Sequence, residues 1–433
     1  MFVQGPTGEA ASARGGGVVD RPWLRTALAD QVGPSRGPLA LGSRARLVES
    51  VVVQMSARPI TTANFDDRPH LVFWETTKAC PLACVHCRAF AQPAPLPGEL
   101  TTGEGVRLID ELASGPRPRP ILVLTGGDCL SRGDVVALAA YGQRVGVPVA
   151  IAPSVSPRMT PELLRQLHAH GVTRASLSLD GATPETHEGI RQVAGHFEAT
   201  IDAIKLLAGC GFQVQINTTV MTRNVRELAE IAALVRNLDV GTWEVFFLIS
   251  VGRGRDVEEI GPHDARDVAH FLVDAAQYGM LVRTVEAPFF RGIHRSRAAT
   301  PQRDVAGRFG LGSLYCHLSS RLDHELGPPT HRVTAPTLAT RDGKGIIFVA
   351  HDGAVYPSGF LPLSLGNVRE AGLLPVYREH ALLRSIRAAE FPGRCGSCSD
   401  SDLCGGSRAR AYARTGDALA DDPACVLATT GSG

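Results

Sequence analysis

Lysine is nearly missing from this 433-residue chain: only Lys78, Lys205 and Lys344 stand among 44 basic residues. Positive charge is therefore carried by arginine, whose planar fork suits fixed, two-pronged contacts with carboxylates and phosphates. An excess of either charge is missing too. The 44 basic residues meet 43 acidic ones, so no global field draws in nucleic acid or an acidic membrane surface. No run approaches the 18 apolar residues of a spanning helix. The opening, MFVQGPTGEAASARGGG, has neither the basic nor the apolar stretch of a secretory signal. These absences lead us to expect a cytoplasmic protein with no nucleic-acid and no membrane partner. What is present, 44% hydrophobic and 20% charged residues, is the composition of a globular enzyme. The length suits two domains or one large α/β barrel.

Ten cysteines are the anomaly. A reducing compartment disfavours structural disulfides, so clustered thiols there point to metal. Cys80, Cys84 and Cys87 share one short loop, and Cys395, Cys398, Cys404 and Cys425 lie near the C-terminus, while Cys129, Cys210 and Cys316 stand apart.

Residues 1–66 are glycine-rich and unperiodic and read as a flexible extension. From residue 67 to about 280, strand-like runs alternate with helical patterns. LVFW, ILVL, VPVAIA, ASLSL, QVQINTTV and WEVFFLI are the six strands. Helices follow each, one of them marked by Thr160, Pro161 and Gly171 as cap, first-turn proline and terminal glycine. Six such units predict a parallel sheet with helices outside it, an α/β fold in which a partial barrel is expected. Residues 281–344 are arginine-rich and serve as connector. Residues 345–433 form a small C-terminal module: a hairpin in IIFVAHDGAVY, a helix, then the second cysteine group.

The loop ETTKACPLACVHC, just after the first strand, spaces three cysteines as C-x3-C-x2-C. Three thiolates from one loop can hold three irons of a [4Fe–4S] cluster and leave the fourth open. Zinc with His86 as fourth ligand is the alternative, but adjacent His86 and Cys87 are hard to bring round one tetrahedron. The motif resembles the hallmark of the radical SAM superfamily. That resemblance implies a partial (β/α)6 TIM-like barrel and a [4Fe–4S] cluster whose open iron chelates S-adenosyl-L-methionine. It also implies reductive cleavage to a 5′-deoxyadenosyl radical, hydrogen abstraction from a substrate, and an electron donor such as flavodoxin or ferredoxin.

Other segments match the family at strand ends, where barrel active sites lie. Gly126, Gly127 and Asp128 look like its GGE turn, expected to approach the methionine amino group. Ser178 and Arg191 match the serine and arginine that hold the cofactor carboxylate, with Asp180 beside the serine. Asn217, with Thr218, Gly252 and Gly254, suits a cradle for ribose and adenine, and Ser154 is a further candidate. No side chain is assigned a catalytic role.

Cys395, Cys398, Cys404 and Cys425 resemble the SPASM or twitch extension of the superfamily. This implies one auxiliary [4Fe–4S] cluster in a small C-terminal α+β domain, with zinc as the alternative for four cysteines of this spacing. Ser358 stands where the full pattern has a cysteine after the hairpin, and Arg408 where another is expected, so a second auxiliary cluster is not. CGGSRARAYARTGD resembles the C-terminus of radical SAM proteins of alternative haem biosynthesis, with Ser407 in place of a cysteine. A small-molecule substrate is expected, a modified tetrapyrrole foremost, with Arg291, Arg295, Arg408 and Arg410 as candidate cations. Maturation of a ribosomally made peptide and non-catalytic zinc binding are the alternatives.

Overall fold

A computed structural model describes residues 65–299, 304–329 and 339–425. The extension expected over residues 1–66 lies outside this range up to residue 64. Phe65 and Asp66, at its end, are already anchored: Tyr377 Oη donates to the Phe65 carbonyl at 2.7 Å, and Arg387 Nε to Asp66 Oδ1 at 2.9 Å.

Seven parallel strands run in sequence order: β1 (Leu71–Glu75), β2 (Ile121–Thr125), β3 (Val149–Ile151), β4 (Arg174–Ser178), β5 (Gln213–Val220), β6 (Thr242–Phe247) and β7 (Leu281–Val285). Each neighbour in sequence is a neighbour in the sheet, so right-handed crossovers put every connecting helix on the same side. Alternation within the strands agrees. Val72, Trp74, Leu122, Leu124, Leu177, Ile216, Trp243 and Val245 are 1% exposed or less and face the helices. Each contributes on the order of 1.5–3 kcal/mol by leaving water. Phe73, Val123, Ser178, Asn217 and Glu244 alternate with them, are half-buried and line the opposite, helix-free face.

The helices start where their sequences dictate. Thr101 and Glu104 form a capping box before Thr102–Ser114, while Thr160 and Thr183 each cap a helix that begins with proline.

Two findings extend the sequence reading. The barrel holds a seventh strand, because LVRTV after Gly279 pairs in parallel with β6, Thr242 opposite Leu281. It opens the arginine-rich stretch read as connector, where its short alternation is easily overlooked. Among its described residues are the helices Phe290–Ala298, Val305–Phe309 and Ser313–Leu326. The last of these packs on the barrel through Arg321 to Glu230 at 2.7 Å and Tyr315 to Asp274 at 2.8 Å. Second, the C-terminal strands β8 (Arg341–Asp342), β9 (Gly345–Val349), β10 (Ala354–Tyr356) and β11 (Gly366–Asn367) continue the barrel sheet. The expected hairpin is β9–β10, and β9 also pairs in parallel with β1, Leu71 opposite Ile346. Among the described residues no helix is long and apolar enough to cross a membrane.

Candidate active site

The first cysteine loop leaves β1 at Glu75 and is held to its neighbours by backbone contacts. The Gly127 and Asp128 N–H groups donate to the Thr77 and Ala79 carbonyls at 2.8 and 2.7 Å. A Cβ on Gly127 would sit 2.5 Å from the Ala79 oxygen, so only glycine allows this approach. At the far end, the Arg253 N–H donates to the Cys87 carbonyl at 3.0 Å, and its Nε to the Cys84 carbonyl at 2.8 Å. Gly252, at φ +56°, lies against the same turn: a Cβ there would meet the Cys87 oxygen and sit 2.5 Å from that of Arg88. The loop is thus gripped before its first cysteine and at its last. Arg253 and the close packing of Gly252 were not read from sequence, because nothing local marks a loop that clamps residues so distant in the chain.

Cys80 and Cys84 are buried and Cys87 half-buried. Burial pushes the Cys80 thiol up to about 12 and also raises that of Cys84. As free thiols they are protonated at neutral pH and release the proton on binding a metal. Donors already face the sulfurs. The Leu82 N–H lies 3.5 Å from Cys80 Sγ, Ser154 Oγ at the same distance, and Arg191 Nη1 3.6 Å from Cys84 Sγ. Two buried nitrogens beside them, His86 Nδ1 and Arg191 Nε, have no hydrogen-bond partner. Thiols with N–H donors and unpaired polar atoms fit a thiolate-ligated cluster with a polar cofactor next to it.

The remaining expected residues gather round this loop. Asp128 is fully buried. Its Oδ1 accepts from the Leu130 and Ser154 N–H groups at 3.2 and 3.3 Å, and Oδ2 from Ser156 Oγ at 2.6 Å. Burial outweighs these donors and raises its pKa. The carboxylate therefore fixes Ser154, whose hydroxyl bridges the Gly127 carbonyl at 3.1 Å and Cys80. Ser178 ends β4 and sits opposite Asn217, three residues before the end of β5, on the helix-free face. Asn217 Oδ1 accepts from Gln215 at 2.8 Å. Asp180 Oδ1 accepts from the Thr219 N–H at 2.7 Å, and its other oxygen pairs with Arg191. Burial opposes the Arg191 charge, yet Asp180 and Cys84 more than offset it and raise the pKa. His86, 3.8 Å from Asp180, is lowered to about 4 by burial and is neutral at pH 7. Arg191 is thus shared between Asp180 and the cysteine loop.

At the C-terminus, Cys395, Cys398, Cys404 and Cys425 line one cavity together with Phe289, Gly405 and Gly406. The Asp400 N–H lies 3.4 Å from Cys398 Sγ, the Gly406 N–H 3.4 Å from Cys404 Sγ, and Arg408 Nη2 3.7 Å from Cys395 Sγ. Among the described residues no three His, Cys, Asp or Glu side chains converge as round a single metal ion. Four thiols round a cavity, with N–H groups aimed at three of them, fit a thiolate-ligated cluster.

The four arginines expected to face a substrate instead hold this module together. Arg408 is fully buried, donates to the Ala418 and Ala420 carbonyls at 3.1 and 2.8 Å, and stacks on Phe391. Arg410 donates to the Glu286 carbonyl at 2.8 Å, Arg291 to that of Leu403 at 3.1 Å, and Arg295 pairs with Asp400. The two serines at expected cysteine positions also find partners. Ser407 Oγ donates to Glu286 Oε2 at 2.5 Å, and Ser358 hydrogen-bonds Asp342. Burial and the facing Asp342 raise the Glu286 pKa well above the usual carboxylate range. Beside these two serines the chain has a buried, hydrogen-bonded carboxyl pair, Glu286 and Asp342. Cys129 is buried in the core, Cys210 half-buried and Cys316 exposed.

Comparison with known proteins agrees with this geometry. The profile of the Radical SAM superfamily matches residues 74–235. AdoMet-dependent heme synthase of Methanosarcina barkeri is 36% identical over 360 residues, 83% of this chain and 96% of that protein. Fe-coproporphyrin III synthase of the same organism is 28% identical, over 83% of this chain and 88% of that protein. Among solved structures, SuiB of Streptococcus suis bound to S-adenosylmethionine superposes with a TM-score of 0.58 at 14% identity, covering 88% of this chain and 82% of that one. At that identity the likeness speaks for the fold alone.

Proposed function

This chain belongs to the radical SAM superfamily, and from that premise we propose that it remodels the side chains of a carboxylated iron porphyrin. As a family member it is an enzyme that uses a [4Fe–4S] cluster and S-adenosylmethionine. In our reading Cys80, Cys84 and Cys87 hold that cluster, and Cys395, Cys398, Cys404 and Cys425 hold one auxiliary cluster. When bound, the first cluster supplies the electron that cleaves S-adenosylmethionine and so begins hydrogen abstraction from the substrate.

The chain's own residues position and shield that chemistry. Gly127 and Gly252 fix the cysteine loop at its two ends. Arg191, oriented by Asp180, places a positive charge beside Cys84 and the unpaired nitrogen of His86. The half-buried face bearing Ser178 and Asn217 takes the nucleoside, and Asp128 keeps Ser154 against Cys80. Arg408, stacked on Phe391, lies against Cys395; a cluster held by Cys395, Cys398, Cys404 and Cys425 would supply electron transfer to or from the substrate. A small electron-transfer protein, flavodoxin- or ferredoxin-like, is the reductant we expect.

The observation that carries the porphyrin assignment is the similarity to the AdoMet-dependent heme synthase, which spans nearly all of that protein. The test is titration of anaerobically reconstituted enzyme with iron coproporphyrin III, following the Soret band and 5′-deoxyadenosine release. Binding and porphyrin-stimulated release are expected. If no iron porphyrin binds, and a peptide encoded beside the gene stimulates release instead, the assignment is wrong.

A further inference from the structure

The helix Arg408–Thr415 turns two of its arginines inward, as described, but Tyr412 and Arg414 face elsewhere. With Ser250, Val251, Arg255 and Pro362 they line a cavity of about 470 Å³, a size that holds small-molecule ligands. Its position is telling. Ser250 and Val251 directly follow β6, at the carboxyl end of the strands, and the next residue, Gly252, packs against the backbone at Cys87. One wall of the cavity is therefore the loop that clamps the first cysteine group, and the other is the helix that follows the second.

The chemistry of the lining is one-sided. It contains two arginines and no carboxylate. Arg255 is exposed and makes no hydrogen bond or ion pair with the described residues. Arg414 is 54% exposed and shares Glu259, at 3.2 Å, with Arg410 at 3.8 Å. Glu259 is also taken up by the Ser250 N–H and hydroxyl at 3.0 and 2.5 Å. Glu259 is thus engaged behind the wall, which leaves the Arg255 fork and part of the Arg414 fork to the cavity. Between them, Tyr412, Val251 and Pro362 give an apolar surface. Tyr412 packs on the cluster of Ile249, Leu361 and Ala409, which fixes the helix that bears Arg414.

We propose that this cavity binds the peripheral carboxylates of the substrate, Arg255 and Arg414 capturing them while Tyr412 and Val251 pack on the rim of the macrocycle. Arginine forks are matched to carboxylates by their two parallel N–H groups. The proposal rests on the porphyrin reading above and adds to it which residues recognise the charged edge.

The experiment compares wild type with Arg255→Gln, Arg414→Gln and the double variant, all reconstituted anaerobically. Binding of iron coproporphyrin III, with four carboxylates, and iron deuteroporphyrin, with two, is followed by the Soret band. S-adenosylmethionine affinity and iron content are measured alongside. Arg255→Gln has no intramolecular partner to disturb, so it reports on ligand contact alone. Each substitution should weaken iron coproporphyrin III binding about 10-fold or more, as for loss of one charge-assisted bond. The gap between the two porphyrins should shrink, with iron content and S-adenosylmethionine affinity at wild-type values. Porphyrin binding that is equally tight in wild type and double variant overturns the cavity assignment and leaves the substrate class standing. Failure of the wild type to bind either porphyrin overturns both.

Discussion

Replacing Gly252 with alanine probes the grip on the cysteine loop directly. Two costs add. At φ +56° an alanine pays the left-handed penalty of about 1–2 kcal/mol. Its Cβ would also lie 2.5 Å from the Arg88 oxygen and against that of Cys87, both backbone atoms that cannot rotate away. Opening that gap to an ordinary Cβ contact moves the backbone at Cys87 by about 1 Å, an overpacking that costs about 1–3 kcal/mol. The sum, about 2–5 kcal/mol, falls on the turn that carries Cys87. Gly209→Ala is the control, since a Cβ there meets nothing within 4 Å. The assay is iron per chain after anaerobic reconstitution, with urea unfolding of the apo-protein. Gly252→Ala should unfold at clearly lower urea and drop from about eight irons towards four, with the control at wild-type values. Full iron and a midpoint equal to that of Gly209→Ala would refute the reasoning.

Three further outcomes follow from the site. Arg191→Ala leaves Asp180 buried with only the Thr219 N–H, and should cost about 3–5 kcal/mol in urea unfolding, part of it recovered in the double variant with Asp180→Asn. Changing Cys395 and Cys398 together to alanine should remove about half the iron while reductive cleavage of S-adenosylmethionine with dithionite persists; loss of all cleavage would tie the two cysteine groups into one site. Glu286 is held protonated by burial and by Asp342, so the folded state keeps a proton that the unfolded state releases. Stability should be fullest below the ordinary glutamate pKa and fall as pH rises towards the folded value, by at most about 1.4 kcal/mol per pH unit. Urea midpoints from pH 5 to 8 should fall in the wild type and stay flatter in Glu286→Gln.

Local signals were legible in the sequence wherever chemistry and periodicity are local. The CxxxCxxC loop, the six alternating strands and the Thr160–Pro161 cap are set by neighbours within a few residues. The seventh strand escaped because five residues of alternation after Gly279 are overshadowed by the arginines that follow. Side-chain direction was the harder part. Arg408 and Arg410 look like free cations in RARAYART, yet helical rotation sends them inward and leaves Tyr412 and Arg414 at the cavity. The partners that decide this, Glu286 and Asp422 for Arg410, lie on other elements. Asp128 likewise reads as a cofactor acceptor, but its partners within the chain, Ser154 and Ser156, come from beyond the end of β3 and carry no local signal.

The pairing of β9 with β1 also sets the order in which the chain can be completed. Until Gly345–Val349 has been synthesised and docked, the outer edge of Leu71–Trp74 offers a row of unpaired amides on an apolar strand, the kind of edge that recruits other chains. The first strand of the barrel is thus finished by a segment about 270 residues later in the chain, a long-range closure of the sort that slows folding. A chain cut short before Gly345 would keep every residue of the first cysteine loop yet expose that edge. It should aggregate during expression, and a partner that shields LVFW, or a circular permutant that brings β9 next to β1, should rescue it.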